Sequence, residues 1–364
     1  MKNHEYYMRK TLELAKCGWG RTNPNPLVGA TIVKNNKIIS QGYHKALGLA
    51  HAEVDAIMNA KENVEGSTLY VNLEPCSHFW KTPPCAKAII EAGIKNVIVA
   101  MVDPNPKVQG NGIKMLREAG VNVTLGVLEN EARKLNEIFI KYITKNMPFV
   151  IMKSAMTLDG KTASVCGNSK WISCEGSRNY VHEMRSRVSA IMVGINTVII
   201  DNPSLTTRLS AKECKDPIRV IIDSKGRLPL DSNVLKSSNN VGVILATTSQ
   251  IDSEKEKHLI DKGVTIIKSD NEDGSVNLKI VMKKLYKLGI DSVLLEGGGT
   301  INASALSAGI VDKVIMFIAP KIIGGKSALT PVEGEGIKLV EDAIKLHDIT
   351  INRIDDDIVF EGYI

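Results

Sequence analysis

At 364 residues, 43% hydrophobic and 24% charged, the chain reads as a soluble globular protein of two domains. No apolar run approaches the ~20 residues a membrane helix needs, and the opening MKNHEYYMRK lacks a signal peptide's apolar core, so a cytoplasmic location and no membrane partner are expected. The net charge of +6 falls within residues 1–146, which hold 19 Lys+Arg against 13 Asp+Glu; without the basic cluster or stripe of a nucleic-acid binder, the expected partner is a small phosphorylated substrate and not nucleic acid.

Strand and helix patterns alternate throughout, which predicts two α/β units. Leu27 to Val33 and Lys37 to Tyr43 read as strands flanking a turn at Asn35-Asn36. A helix is predicted from His51 to Glu62, an apolar strand from Ser67 to Leu73, and a proline-opened helix from Pro83 to Ala92. Asn96 to Val102 reads as a strand, Asn111 to Ala119 as a helix stopped by Gly120, and Glu131 to Lys145 as one closing helix. Thr144-Lys145-Asn146-Met147-Pro148 breaks the pattern and sets the expected boundary between domains 1–146 and 147–364. Beyond it, strands are predicted at Phe149–Met156, Ala190–Val193, Ile218–Ile222, Gly242–Ala246, Val264–Ile267, Ser292–Leu295 and Lys313–Ala319, with helices between several of them. Polar stretches around 208–216, 225–240 and 269–277 read as loops.

The strongest chemical signal is His51-Ala52-Glu53 followed by Pro75-Cys76 and Cys85. Six cysteines in a chain this long do not suggest a disulfide framework; in a reducing compartment they point to metal binding or buried thiols. One imidazole and two thiols supply three ligands, and a catalytic zinc keeps its fourth position open for water. Glu53 is then the proton shuttle and not a ligand. A His-x-Glu with Pro-Cys-x-x-Cys marks zinc deaminases of nucleobases, whereas here eight residues separate the cysteines. Strand ends and helix starts converge at one edge of an α/β sheet, and a helix N-terminus favours thiolate. Positions two apart on an ideal helix point ~200° apart. His51 and Glu53 can therefore face one metal only if His51 occupies the irregular first turn or the metal sits over the helix end.

Thr22-Asn23-Pro24-Asn25-Pro26-Leu27-Val28-Gly29, His51-Ala52-Glu53-Val54 and Leu73-Glu74-Pro75-Cys76-Ser77-His78 resemble the deaminase half of the bifunctional riboflavin-biosynthesis deaminase/reductase family. Thr82-Pro83-Pro84-Cys85 and Asp103-Pro104-Asn105-Pro106 extend the match. The resemblance implies a cytidine-deaminase-like αβα sandwich, with Asn25, His44, His78 and Lys81 contacting the pyrimidine or its phosphoribosyl arm. One departure stands out: the family usually has glycine before that basic residue, and this chain has Trp80.

The second half opens with Pro148-Phe149-Val150, Lys153 and Thr157-Leu158-Asp159-Gly160-Lys161. Asn168 to Ser173, Gly194 to Val198 and Asp201 to Thr206 follow, and Leu295-Glu296-Gly297-Gly298-Gly299-Thr300 joins a strand to a helix. Glycines in that position let a phosphate approach backbone N–H groups at a positive helix end. Their spacing is not the dinucleotide fingerprint. Together these blocks resemble the reductase half of the same family, which has a dihydrofolate-reductase-like α/β fold. The resemblance implies NADPH contacts by Ala155, Trp171, Thr197, Asp201, Ser224, Gly298, Gly299, Thr300, Ile301, Asn302, Ala303 and Ser304. It implies substrate contacts by Lys153, Ser169, Arg185, Leu205, Arg208 and Glu296, with Arg185 and Arg208 suited to act as phosphate forks. A homo-oligomer is expected.

The expected chemistry is hydrolytic deamination of a diaminopyrimidinone ribosylamino phosphate, followed by reduction of its ribosyl group, with Lys153 and Asp201 as candidates for proton handling. One alternative is a cytidine-type nucleotide deaminase fused to a nucleotide-binding module. Another is a structural zinc domain, which requires a fourth ligand from Cys17 or His78.

Overall fold

The computed structural model describes residues 3–77, 83–106, 108–209, 214–236 and 241–364. His78, Trp80 and Lys81 lie outside the described residues. The chain divides into two compact units, Met1–Asn146 and Met147–Ile364.

The first unit runs α1 (His4–Ala15), β1 (Gly29–Lys34), β2 (Lys37–Tyr43), α2 (Ala52–Met58), β3 (Thr68–Leu73), α3 (Cys85–Glu91), β4 (Asn96–Met101), α4 (Asn111–Glu118), β5 (Asn122–Leu125), α5 (Glu129–Leu135) and α6 (Glu137–Lys145). Its sheet order is β2-β1-β3-β4-β5, with β1 antiparallel to both neighbours and β3, β4 and β5 parallel. Helices α1 and α5 pack against β1, β3 and β4, while α2, α3 and α4 form a second packed series. The predicted hairpin is present, because Asn35 (φ 50°) and Asn36 (φ 61°) both take the left-handed conformation that a two-residue turn demands. Gly42 is where β2 lets α2 come close: a Cβ there would fall 2.6 Å from the Ala52 carbonyl oxygen.

Two expectations need correction. The predicted helix from His51 ends at Met58, four residues short of Glu62. The single closing helix is two, α5 and α6, broken at Asn136. That buried side chain accepts from Leu27 N–H (2.8 Å) and donates to the Leu27 carbonyl (3.1 Å). A local helical pattern is overridden there by a bond between residues 109 positions apart.

The second unit runs β6 (Phe149–Thr157), α7 (Glu175–Arg187), β7 (Ala190–Gly194), α8 (Ile195–Asp201), β8 (Ile218–Ile222), β9 (Val243–Thr247), α9 (Ser253–Asp261), β10 (Val264–Lys268), α10 (Leu278–Lys287), β11 (Ser292–Leu295), α11 (Gly299–Ser307), β12 (Lys313–Ala319), β13 (His347–Ile354) and β14 (Asp357–Tyr363). The sheet order is β10-β9-β8-β7-β11-β6-β12-β14-β13, parallel from β10 to β12 and antiparallel at β14 and β13. Both faces of the parallel part are covered. Ala190, Met192, Val220 and Ile222 join one apolar core, and Ile191, Val193 and Ile221 join the other. Strands buried on both sides read as continuous apolar runs, which is why every strand predicted in this half is present. The β13–β14 hairpin was not predicted, since β13 (HDITINRI) is exposed along most of its length and carries no apolar run. Among the described residues no helix is long and apolar enough to cross a membrane.

Candidate active sites and family

Helix α2 begins just after His51, whose backbone is extended (φ −71°, ψ 159°) at the N-cap position. Glu53 lies inside the first turn. That break in helical geometry lets both side chains face one point. Cys76 follows the end of β3, and Cys85 is the first residue of α3. His51 Nδ1 sits 3.2 Å from Cys85 Sγ and 3.6 Å from Cys76 Sγ, and the three potential ligand atoms lie within 4.8 Å of one another. Ligands about 2.0–2.3 Å from a tetrahedral zinc stand roughly 3.6–3.8 Å apart, so one nitrogen and two sulfurs at these separations fit zinc. Among the described residues Cys17 is not part of this group.

Charge in the site supports the same chemistry. The two sulfurs share a hydrogen bond, which favours one thiolate: Cys76 is lowered to about 4 and Cys85 is raised. The Cys85 backbone N–H donates to Cys76 Sγ at 3.3 Å. A hydrogen bond with Cys76 raises His51, against the effect of burial. Glu53 is only 3% exposed. Burial, and then the negative Cys76, push its carboxyl up to about 7.

The walls around this point are held by polar side chains. Glu74, buried before Pro75, accepts four backbone N–H groups, from Asp103 and Gly110 at one oxygen and from Gly112 and Ile113 at the other. Gly112 passes so close to the Pro75 carbonyl that a Cβ there would strike it. Asn72 bonds Gly29 N–H and the Leu27 carbonyl, both at 2.8 Å, and so anchors the loop that carries Asn25. His44 donates from Nδ1 to the Ala50 carbonyl (3.1 Å), which leaves Nε2 to accept from Asn25 Nδ2 at 3.3 Å. Burial lowers the His44 pKa, and its ring stands edge-on to His51 with centroids 5.5 Å apart. Asn25 and His44 thus border the three potential ligands. The roles of Glu74, Asn72 and Asn136 were not anticipated from the sequence; Glu74 alone had a signal, standing directly before Pro75-Cys76.

In the second unit the structure joins Lys153 of β6, Arg185 of α7 and Glu296 beyond β11. Arg185 donates from Nε and Nη2 to Glu296 at 2.6 and 3.0 Å, and Lys153 Nζ lies 3.6 Å from Glu296. Burial opposes the Glu296 charge, but Arg185 and Lys153 outweigh it and bring the carboxyl down to about 2. Arg185 Nη1 also donates to the Thr206 carbonyl (3.0 Å), so most of its fork is spent within the protein. Arg208 remains exposed. Leu205, between them in sequence, is buried with φ 51°.

Ser224, Ile301 and Ser304 line one cavity of about 520 Å³ beside α11. Gly298 caps that helix in extended conformation, and at Gly299 a Cβ would fall 2.6 Å from the Thr330 carbonyl. Fully buried Asn302 donates to the Pro331 carbonyl at 2.8 Å, while its Oδ1 has no hydrogen-bond partner among the described residues. The α11 side of this cavity is formed by Ile301, Ser304, Ser307 and Ala308, and its size, with hydroxyls on two walls, is that of a ligand pocket. Exposed Trp171 lies under Arg178 (4.6 Å), and Lys321 Nζ donates to the carbonyls of Trp171 and Ile172, both at 2.7 Å. Thr197 is in the first turn of α8 and Asp201 is at its exposed end, while Ala155 and Ser169 are half-buried on β6 and in the loop before α7.

Comparison with known proteins agrees with both halves. Residues 1–101 match the family described as the cytidine and deoxycytidylate deaminase zinc-binding region, and residues 148–360 match the RibD C-terminal domain. The riboflavin biosynthesis protein RibD of Actinobacillus pleuropneumoniae is 45% identical over 355 residues, covering 98% of this chain and 94% of that protein. The RibD of Aquifex aeolicus is 43% identical, covering 97% and 96%. The crystal structure of a diaminohydroxyphosphoribosylaminopyrimidine deaminase/5-amino-6-(5-phosphoribosylamino)uracil reductase from Thermotoga maritima superposes with a TM-score of 0.87 at 42% identity, covering 99% of this chain and 98% of that one. The first half accordingly has the cytidine-deaminase-like fold and the second the dihydrofolate-reductase-like fold. This chain belongs to the RibD family and is a bifunctional deaminase and reductase of riboflavin biosynthesis, served by zinc and NADPH.

Proposed function

We propose that residues 1–146 deaminate 2,5-diamino-6-(5-phosphoribosylamino)pyrimidin-4-one, and that residues 147–364 reduce the ribosyl group of the product, 5-amino-6-(5-phosphoribosylamino)uracil, to ribityl. The observation that carries the first step is the convergence of His51, Cys76 and Cys85 beside buried Glu53. These three residues would hold the zinc, which acidifies a water molecule towards neutrality. Glu53 takes one proton from the attacking water and gives it to the ring nitrogen, then takes the second from the newly added hydroxyl and gives it to the amine, which leaves as ammonia. Asn25 and His44 border the ring, and the roles implied for His78 and Lys81 fall outside the described residues.

In the second step NADPH supplies the hydride. Gly298 to Ser304 and Ser224 would cradle it, with Ala155, Trp171, Thr197 and Asp201 as the further contacts. Glu296 fixes Lys153 and Arg185 beside the sugar. Lys153 is the better-placed proton-handling group, because Asp201 is exposed at the end of α8 and has no ion pair with this cluster among the described residues. Exposed Arg208 meets the phosphate, with Ser169 and Leu205 shaping the same wall. A cytoplasmic homo-oligomer is part of this reading, supported by exposed Ile349 and Ile351 on edge strand β13; light scattering that finds only monomer would overturn it.

The test is to incubate zinc-loaded protein with the diamino substrate, with and without NADPH, and to identify the products by mass. The uracil is expected without NADPH and the ribityl compound with it. Glu53→Gln should stop the first conversion alone, and Arg185→Ala should impair the second alone. Absence of ammonia release overturns the first assignment. Unchanged NADPH absorbance with the uracil intermediate overturns the second.

A further inference from the structure

The segment after α8 that carries Leu205 and Arg208 is held at two consecutive peptide units by three different side chains. Arg185 donates to the Thr206 carbonyl at 3.0 Å, and Asp216 accepts from Thr207 N–H at 2.6 Å. His182 Nδ1 accepts from Arg208 N–H at 3.2 Å. Leu205 at the head of the segment has φ 51°, a conformation leucine rarely adopts, so the clamp holds a backbone that would otherwise relax. His182 lies one helical turn before Arg185 on α7, and the two therefore share a face. A backbone N–H can only donate. His182 must then be neutral at Nδ1, with its proton on Nε2.

We infer that His182 is a positioning residue of the reductase, which through its neutral imidazole fixes the Arg208 backbone and so the place where that guanidinium meets the substrate phosphate. Resting on the reductase reading above, the inference adds a residue that neither the sequence motifs nor the family resemblance singled out. The surroundings favour the neutral ring. Burial lowers the His182 pKa, and Arg185 on its own helix, Arg208 on the clamped segment and Lys153 on β6 lower it further, with only Glu296 opposing them. Protonation would put a donor where Arg208 N–H needs an acceptor, and the third clamp would open.

The experiment compares wild type, His182→Phe and His182→Asn as full-length holoenzyme. Steady-state reduction of the uracil intermediate is followed by NADPH absorbance from pH 5 to 8. Asparagine keeps an acceptor near the Nδ1 position but cannot titrate. His182→Phe should raise KM for the phosphorylated substrate about tenfold, the loss of roughly one anchoring hydrogen bond, with kcat within about twofold. His182→Asn should bring KM back to within about threefold of wild type. It should also lose the rise in KM that wild type shows as the pH falls below the ordinary histidine range. The substrate phosphate titrates in that region too, and equally in all three proteins, so only the difference between them counts. An unchanged KM in His182→Phe, or a loss confined to kcat, overturns the inference; so does a rise at low pH in His182→Asn equal to that of wild type. Wild type that reduces nothing would overturn the reductase reading itself, and this inference with it. Circular dichroism melts of each variant check that the second unit, which carries His182, is folded.

Discussion

The two sites use buried carboxylates in opposite ways. Glu53 is buried with a negative sulfur beside it, and both raise its pKa to about 7, in the range useful for moving a proton. Glu296 is less deeply buried and lies between two cations, and is held near 2 as a fixed anion. In the proposed mechanism Glu53→Gln removes a proton carrier without removing a ligand. Ammonia release should fall by about 10²–10⁴, with zinc content by elemental analysis and NADPH oxidation both unchanged. For Glu296 the linkage has a definite sign. Its folded pKa is depressed from 4.5 to about 2, so the stability it contributes is fully present above pH ~4.5 and is lost as the pH falls towards 2. Glu296→Gln should cost up to about 3 kcal/mol at pH 7. Urea denaturation of the two proteins should show that gap shrinking below pH ~4.5 and closing only towards pH 2, and a gap of constant size would refute the pairing.

At the scale of elements, the chemistry depends on where helices and strands end. His51 faces the two thiols because it precedes α2, and Cys76 and Cys85 meet because β3 ends where α3 begins. Glu74 holds the base of this junction by joining the strand end to the Asp103–Ile113 backbone through four hydrogen bonds. Replacing it with alanine leaves those N–H groups buried and unpaired. At 1–3 kcal/mol for such a group, Glu74→Ala should destabilise the first unit by at least about 3 kcal/mol and reduce zinc retention; circular dichroism melts and dialysis against a weak chelator would measure both. Elements were legible where their apolar patterning is local and continuous, as in the seven parallel strands after Met147. They were not legible where a distant side chain intervenes, as at Asn136, or where a strand stays exposed, as at β13.

For the molecule as a whole, each unit has its own sheet and its own chemistry, so removing one cofactor should leave the other reaction intact. A strong chelator should abolish ammonia release and lower the melting temperature of the first unit, because the metal binds only the folded site. NADPH oxidation with the uracil intermediate should survive it, and a parallel loss of both activities would show that the two sites are not independent. Sequence alone named the three residues that converge at the first site, the order of most strands and the family resemblance. Each of these depends on residue type and short spacing, such as His51 to Glu53 or Leu73 to Cys76. Only tertiary structure decided that Glu53 is buried, that Arg185 is spent on Glu296 111 residues away, and that His182 holds the Arg208 peptide. The reason is physical: charge state and hydrogen-bond partners depend on burial and on groups brought from remote parts of the chain, and local patterning carries no record of either.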